Sequence, residues 1–247
     1  MSDAIVFLGP TLALADAREI LAADYRPPVA QGDVLRAVMD GARAIGIVDG
    51  FFENVPSVWH KEILFALTKG VQVYGSASMG ALRAAELHPF GMHGVGAVFE
   101  AFADSRLEDD DEVAVTHGPA EIGYPILSEA MVNIRRTLSD AFGRGIIGTG
   151  TRRHLEAMAK ALPYKERTYA RLFRDAATAG VNRAEVEALR AWLPTGRADQ
   201  KREDAVAMLR TMRAALERPW TPATVLFPFE HTTLFERAAR PILGAAA

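Results

Sequence analysis

The densest grouping of residues able to do chemistry runs Val71-Gln-Val-Tyr-Gly-Ser-Ala-Ser-Met-Gly-Ala-Leu-Arg-Ala-Ala-Glu86. Apolar residues give way to small ones and then to helix formers, so the stretch reads as strand, tight turn and helix. Within it, Ser76-Ala77-Ser78-Met79-Gly80 is similar to a G-x-S-x-G nucleophile elbow, with serine in place of the first glycine. Ser78 is then the candidate nucleophile. The backbone N–H groups of Met79 and Gly80, helped by the helix dipole, face a developing oxyanion. The same residues also suit a turn that binds an anion, or one that merely reverses the chain.

Other groups could serve that hydroxyl. His117 closes an apolar run and is placed as a general base, or as a structural imidazole bonded to a loop backbone. Asp49, before Gly50, could orient an imidazole or cap the turn. Trp59-His60-Lys61-Glu62 opens the next helix. His60 there could be base or activator of Ser78, and Lys61 an anion clamp. The plainer reading makes Trp59 core, Glu62 a first-turn acid and Lys61 a solvated cation. Arg83 and Glu86 have the i,i+3 spacing of a helix pair. Ser78, His117, Asp49 and His60 are therefore the catalytic candidates, and Lys61, Arg83, Ser76 and Gly80 the substrate-binding ones. The acidic run 108–112 lacks EF-hand spacing, so no metal is expected. With no G-x-G-x-x-G, Walker A or H-E-x-x-H, no cofactor is expected.

These residues need a scaffold. Runs 4–8, 44–48, 70–74 and 112–116 read as strands, and Tyr25-Arg26-Pro27-Pro28 as an edge strand or loop. Helical spacing covers 12–21, 32–39, 58–69, 79–87, 95–103 and 128–142. Alternation of this kind predicts an α/β fold, a Rossmann-like, mostly parallel sheet with helices on both faces. Ligands of such sheets sit beyond the carboxyl ends of the strands, here near Thr11, Asp49, Ser78 and His117. The glycine-rich stretch 143–150 reads as a boundary. Beyond it the pattern is helical at 152–161, 165–177, 183–192 and 201–217, with one strand-like stretch at 221–227. The expected division is an α/β core over 1–142 and an all-helical C-terminal lobe over 151–247. Arg167, Arg171 and Arg174 would give that lobe a basic face for an acidic partner.

Composition narrows the field further. The chain has 247 residues, a net charge of −3 and no cysteine. A disulfide scaffold, a thiolate metal site, a cysteine nucleophile and a persulfide carried on this chain are all excluded. The mildly acidic balance argues against nucleic acid as a partner. Apolar runs are strand-sized, arguing against membrane insertion. The opening Met-Ser-Asp-Ala lacks a basic, then apolar, leader, so a cytoplasmic location is expected.

Taken together, the chain is similar to the TfuA-like family. The matching stretches are Val6-Phe7-Leu8-Gly9-Pro10, Tyr25-Arg26-Pro27-Pro28, Ile47-Val48-Asp49-Gly50-Phe51-Phe52 and Trp59-His60-Lys61-Glu62-Ile63, followed by Gly75 to Glu86. Phe90-Gly91-Met92, Asp109 to Ala114, Thr116-His117-Gly118-Pro119 and Ser128 to Asn133 complete them, and Asp199-Gln200-Lys201-Arg202 is a weaker match. The resemblance implies a role beside a YcaO-family enzyme in thioamide formation on a ribosomal peptide. It implies as partners that enzyme, a ubiquitin-like sulfur carrier protein and the precursor peptide. It further implies hydrolysis of the carrier's thiocarboxylate to deliver sulfide, or a non-catalytic scaffolding or activating role toward the YcaO partner.

Overall fold

Short runs of aliphatic residues build the centre of the sheet. In the computed structural model, which describes residues 3–51, 53 and 55–244, strands β1 (Ala4–Phe7) and β3 (Ala44–Ile47) are buried at every position. Met1, Ser2 and Phe52, part of the stretches quoted above, lie outside the described residues. Strands β2 (Asp24–Arg26), β4 (Gln72–Ser76) and β5 (His93–Val95) complete a five-stranded sheet of order β2-β1-β3-β4-β5. Every pairing is parallel. Helices α1 (Leu14–Ile20), α2 (Asp33–Met39), α3 (His60–Thr68), α4 (Met79–Leu87) and α5 (Ala97–Ala103) connect the strands or follow them. This is the α/β class, with helices on both sheet faces.

Strand alternation sends side chains to two cores. Ile5, Phe7, Ile45, Ile47 and Val73 pack with Val34 of α2, Ile63, Ala66 and Leu67 of α3, and Ala84 of α4. Ala4, Val6, Leu8, Ala44, Val48 and Tyr74 face the other way, onto Ala17 of α1 and onto Ala205, Met208, Leu209 and Met212. Those last four belong to α10 (Gln200–Leu216), far along the chain.

Contacts divide the chain into two compact units. One comprises Met1–Glu108 with Arg202–Ala247, the other Asp109–Lys201. This differs from a linear split at 142–151, because the chain returns to cover the sheet with α10. The second unit packs α6 (Met131–Gly143), α7 (Thr149–Ala161), α8 (Tyr169–Thr178) and α9 (Arg183–Gly196) around Ile134, Leu138, Leu155, Leu172 and Leu189. The glycine-rich stretch is therefore the joint between α6 and α7, inside this unit.

Two strand expectations change. Residues 112–116 form no strand. A 3-10 turn at Asp110–Glu112 precedes them, and His117 makes only an isolated antiparallel bridge with Ile126. The acidic run explains the turn. Arg135 grips buried Glu112 with two hydrogen bonds, and Asp111 pairs with Lys160 and Arg167. Arg167 is fully buried and also donates to the carbonyls of Ala159, Leu162 and Asp111, so it is a staple of this unit and offers nothing to a partner. Strand β5 lies in a segment too short to show a period. Residues 221–227 form an extended strap tied to the first unit through Ala223 N–H to the Gly70 carbonyl and Gln72 Nε2 to the Thr221 carbonyl. It leads to a further helix, α11 (Thr233–Leu243), whose buried Phe235 and Ala239 pack with Leu35 and Phe65.

Candidate active site at the strand ends

The β4–α4 turn has the compactness that its small residues promise. A Cβ on Gly80 would lie 1.7 Å from the Ile47 carbonyl oxygen, and one on Gly75 2.1 Å from the Gly80 oxygen. Glycine at both places lets the first turn of α4 press against β3 and β4. The strained residue of the turn is Ala77, at φ 64°, in the left-handed region. It is fully buried. In this register the apex that an elbow gives its nucleophile holds an alanine. Ser78 follows as N-cap of α4, half-buried, and its hydroxyl caps no backbone N–H. Ser76 is fully buried and its hydroxyl has no hydrogen-bond partner among the described residues. The Gly80 N–H donates to the Val48 carbonyl at 3.2 Å, so Met79 N–H is the donor this turn can offer an oxyanion.

Beside it lies the place where the strand order reverses, between β1 and β3. Crevices at such points hold ligands in sheets of this order. Here Asp49 fills it. Its Oδ2 accepts the N–H groups of Gly9 (2.9 Å) and Thr11 (3.1 Å), and its Oδ1 the Thr11 hydroxyl (2.6 Å). A loop that could grip an anion from outside grips the chain's own buried carboxylate. Asp49 bonds to no imidazole here and acts as a fastener of the β1–α1 loop.

The start of α3 gathers the remaining candidates of this unit. His60 Nε2 lies 2.7 Å from Glu86 Oε2, and Arg83 Nη1 donates to the same oxygen at 2.9 Å. Arg83 Nε also donates to the Val58 carbonyl. Lys61 Nζ donates to the Glu230 carbonyl and lies 5.0 Å over the Phe229 ring, so it is bound to the strap. Trp59, His60 and Lys61 line an open cavity of about 300 Å³ with Thr232, Leu234 and Phe235. Glu62 is buried, unlike an ordinary first-turn acid. It accepts the Gly32 N–H at 2.8 Å, and burial pushes its carboxyl up to about 6 despite that bond. Sequence reasoning passed over two functional-looking residues here, Glu62 and Glu86. Only the i,i+3 spacing to Arg83 hinted at the second.

His117 belongs to the other unit. Its Nδ1 lies 2.8 Å from the Gly118 carbonyl, and its ring meets Tyr124 edge-on at 5.3 Å. The structural alternative for this residue thus has a concrete partner. Of the eight candidates, His60 and Arg83 meet through Glu86, while Gly80 packs against the end of β3, just before Asp49. Ser78 meets the others only through its backbone, its N–H donating to the Ser76 carbonyl at 2.7 Å, and its hydroxyl caps no backbone N–H.

Among the described residues, no group of three histidine, aspartate or glutamate side chains gathers as a metal site, and no helix is long and apolar enough to cross a membrane. The fold defines the class: a parallel α/β protein with polar residues at its strand ends and an added helical region. Within that class, residues 49–168 match the family model for TfuA-like protein. The TfuA-like family is associated with YcaO-dependent thioamidation, which implies a YcaO partnership at that coarse level. No curated protein matches the chain.

Proposed function

We propose that this protein assists a YcaO-family enzyme by releasing sulfide from the thiocarboxylated C-terminus of a ubiquitin-like sulfur carrier. The carrying observation is Ser78, a half-buried, uncapping hydroxyl on the first turn of α4, at the carboxyl end of a parallel sheet. The overall reaction adds water to the acyl carbon and breaks its bond to sulfur, turning thiocarboxylate and water into carboxylate and hydrogen sulfide. It needs an attacking oxygen, from Ser78 or from water, a base, and a donor for the tetrahedral oxyanion. Met79 N–H suits the last role where Ser78 supplies the attacking oxygen. His60 is the imidazole that the first unit offers as base. Arg83 and Lys61 supply positive potential for the anionic thioacid. With no cysteine in the chain, sulfur leaves as free sulfide. The partner enzyme then places it on the precursor peptide.

A second reading has its own support. The Asp49 carboxylate is fully engaged by Gly9 and Thr11, and Ser78 bonds to no imidazole in its unit. Those facts suit a non-catalytic activator of the YcaO partner. One experiment separates the two. Purified protein is incubated with thiocarboxylated carrier alone, and sulfide and carrier mass are followed. The hydrolytic reading expects release, with a loss of about 10³-fold in Ser78→Ala or in His60→Ala. Stimulation of the partner that survives both substitutions, with no release from carrier alone, supports the activator.

A further inference from the structure

By spacing alone, Arg83 and Glu86 make a common surface pair. Tertiary structure gives the carboxylate a second duty. Glu86 Oε2 receives both Arg83 Nη1 and His60 Nε2, at 2.9 and 2.7 Å. Arg83 is itself held, with 13% of its side chain exposed and its Nε on the Val58 carbonyl, two residues before His60. A nearly buried guanidinium therefore fixes the carboxylate from behind, and the carboxylate fixes the ring. Burial alone would raise the Glu86 carboxyl, but the His60 bond and the Arg83 charge outweigh it and hold it below its ordinary value. An ionised carboxylate only accepts. His60 must donate from Nε2, so in the neutral ring the lone pair lies on Nδ1. Nδ1 has no partner among the described residues, and His60 lines the 300 Å³ cavity at the start of α3.

We propose that His60 Nδ1 is a general base working in this cavity and that Glu86 is its positioning residue. The inference rests on the sulfide-release reading and deepens it by naming the base, its atom and its tautomer. Glu86 follows Ser78 by eight residues, about 12 Å along α4 at the helical rise. The proton donor within reach is a water in the cavity. His60 Nδ1 takes one proton as the water oxygen bonds to the acyl carbon. The carbon–sulfur bond then breaks, its electron pair leaves on sulfur, and the imidazolium returns its proton to that sulfur. Carboxylic acid and hydrosulfide result, and the acid loses its remaining proton to solvent.

The test uses the full chain labelled with ¹⁵N. Ring nitrogen shifts of His60 at pH 8 report the tautomer directly. The wild type is expected to show the Nε2–H form, and Glu86→Ala a mixture of both forms. In sulfide release from thiocarboxylated carrier, His60→Gln should lower kcat by about 10³-fold and Glu86→Ala by about 10²-fold, with KM nearly unchanged. The double variant should be no worse than His60→Gln alone. An unchanged tautomer in Glu86→Ala overturns the positioning role. Release untouched by His60→Gln but lost in Ser78→Ala overturns the base assignment and leaves the sulfide reading standing. No release by the wild type overturns both.

Discussion

Single residues in this protein owe their behaviour to partners far along the chain. Glu62 is the clearest case. It is buried at the start of α3, where it accepts the Gly32 N–H, and its carboxyl rises from 4.5 to about 6. In the unfolded chain the proton leaves near the ordinary value, while the folded protein still holds it. Stability from this group is therefore full below the unfolded pKa and is lost as pH rises through the folded one. The shift corresponds to about 2 kcal/mol. Glu62→Gln should remove that slope. Denaturant unfolding at pH 4 and pH 7 is expected to show the wild type losing about 2 kcal/mol more than the variant across the interval. Equal losses would show that Glu62 titrates normally in the fold. Asp49 shows the same dependence on distant partners, since three donors from the β1–α1 loop converge on it.

At the scale of elements, the contact between α4 and the strands β3 and β4 decides the geometry of the candidate site. Gly80 N–H on the Val48 carbonyl and the glycine pair at 75 and 80 set how near the helix comes. Gly80→Ala should push α4 away, because the new Cβ would meet the backbone oxygen of Ile47. The expected cost is about 3 kcal/mol, read by denaturant unfolding, with loss of sulfide release in parallel. Gly143→Ala is the matching control. A Cβ there meets nothing within 4 Å, and the residue ends α6, so the change should be neutral or stabilise by up to about 1 kcal/mol. Similar costs at both sites would mean that close packing does not govern Gly80.

Over the whole molecule, the first unit is discontinuous. Its sheet face of Ala4, Val6, Leu8, Ala44, Val48 and Tyr74 is covered by α10, and Met208 and Met212 sit directly over Gly46. A chain ending at Lys201 would leave that face open to water. Burying one such aliphatic side chain is worth roughly 1.5–3 kcal/mol, and Met208, Leu209 and Met212 would all be missing. The 1–201 fragment should therefore fail to fold its sheet, which circular dichroism and soluble yield would reveal. A cooperative unfolding transition in that fragment equal to that of the full chain would contradict this.

Much of the scaffold could be read from residue order. Continuous aliphatic runs at 4–8 and 44–48 placed the buried strands, and the small-residue stretch at 75–80 placed a strand-to-helix turn with Ser78 at its exit. Those signals are local, arising from side-chain period, β-branching and the steric freedom of small residues. Tertiary structure alone decided what has no local period. It left residues 112–116 without a strand, because Arg135, Lys160 and Arg167 claimed the carboxylates of Asp111 and Glu112. It brought Asp49 to Thr11 across 38 residues and His60 to Glu86 across 26. It also returned α10 to the sheet. Pairings of that kind depend on which faces remain uncovered once the elements pack, and hydrophobic patterning within a short window carries no record of the partner.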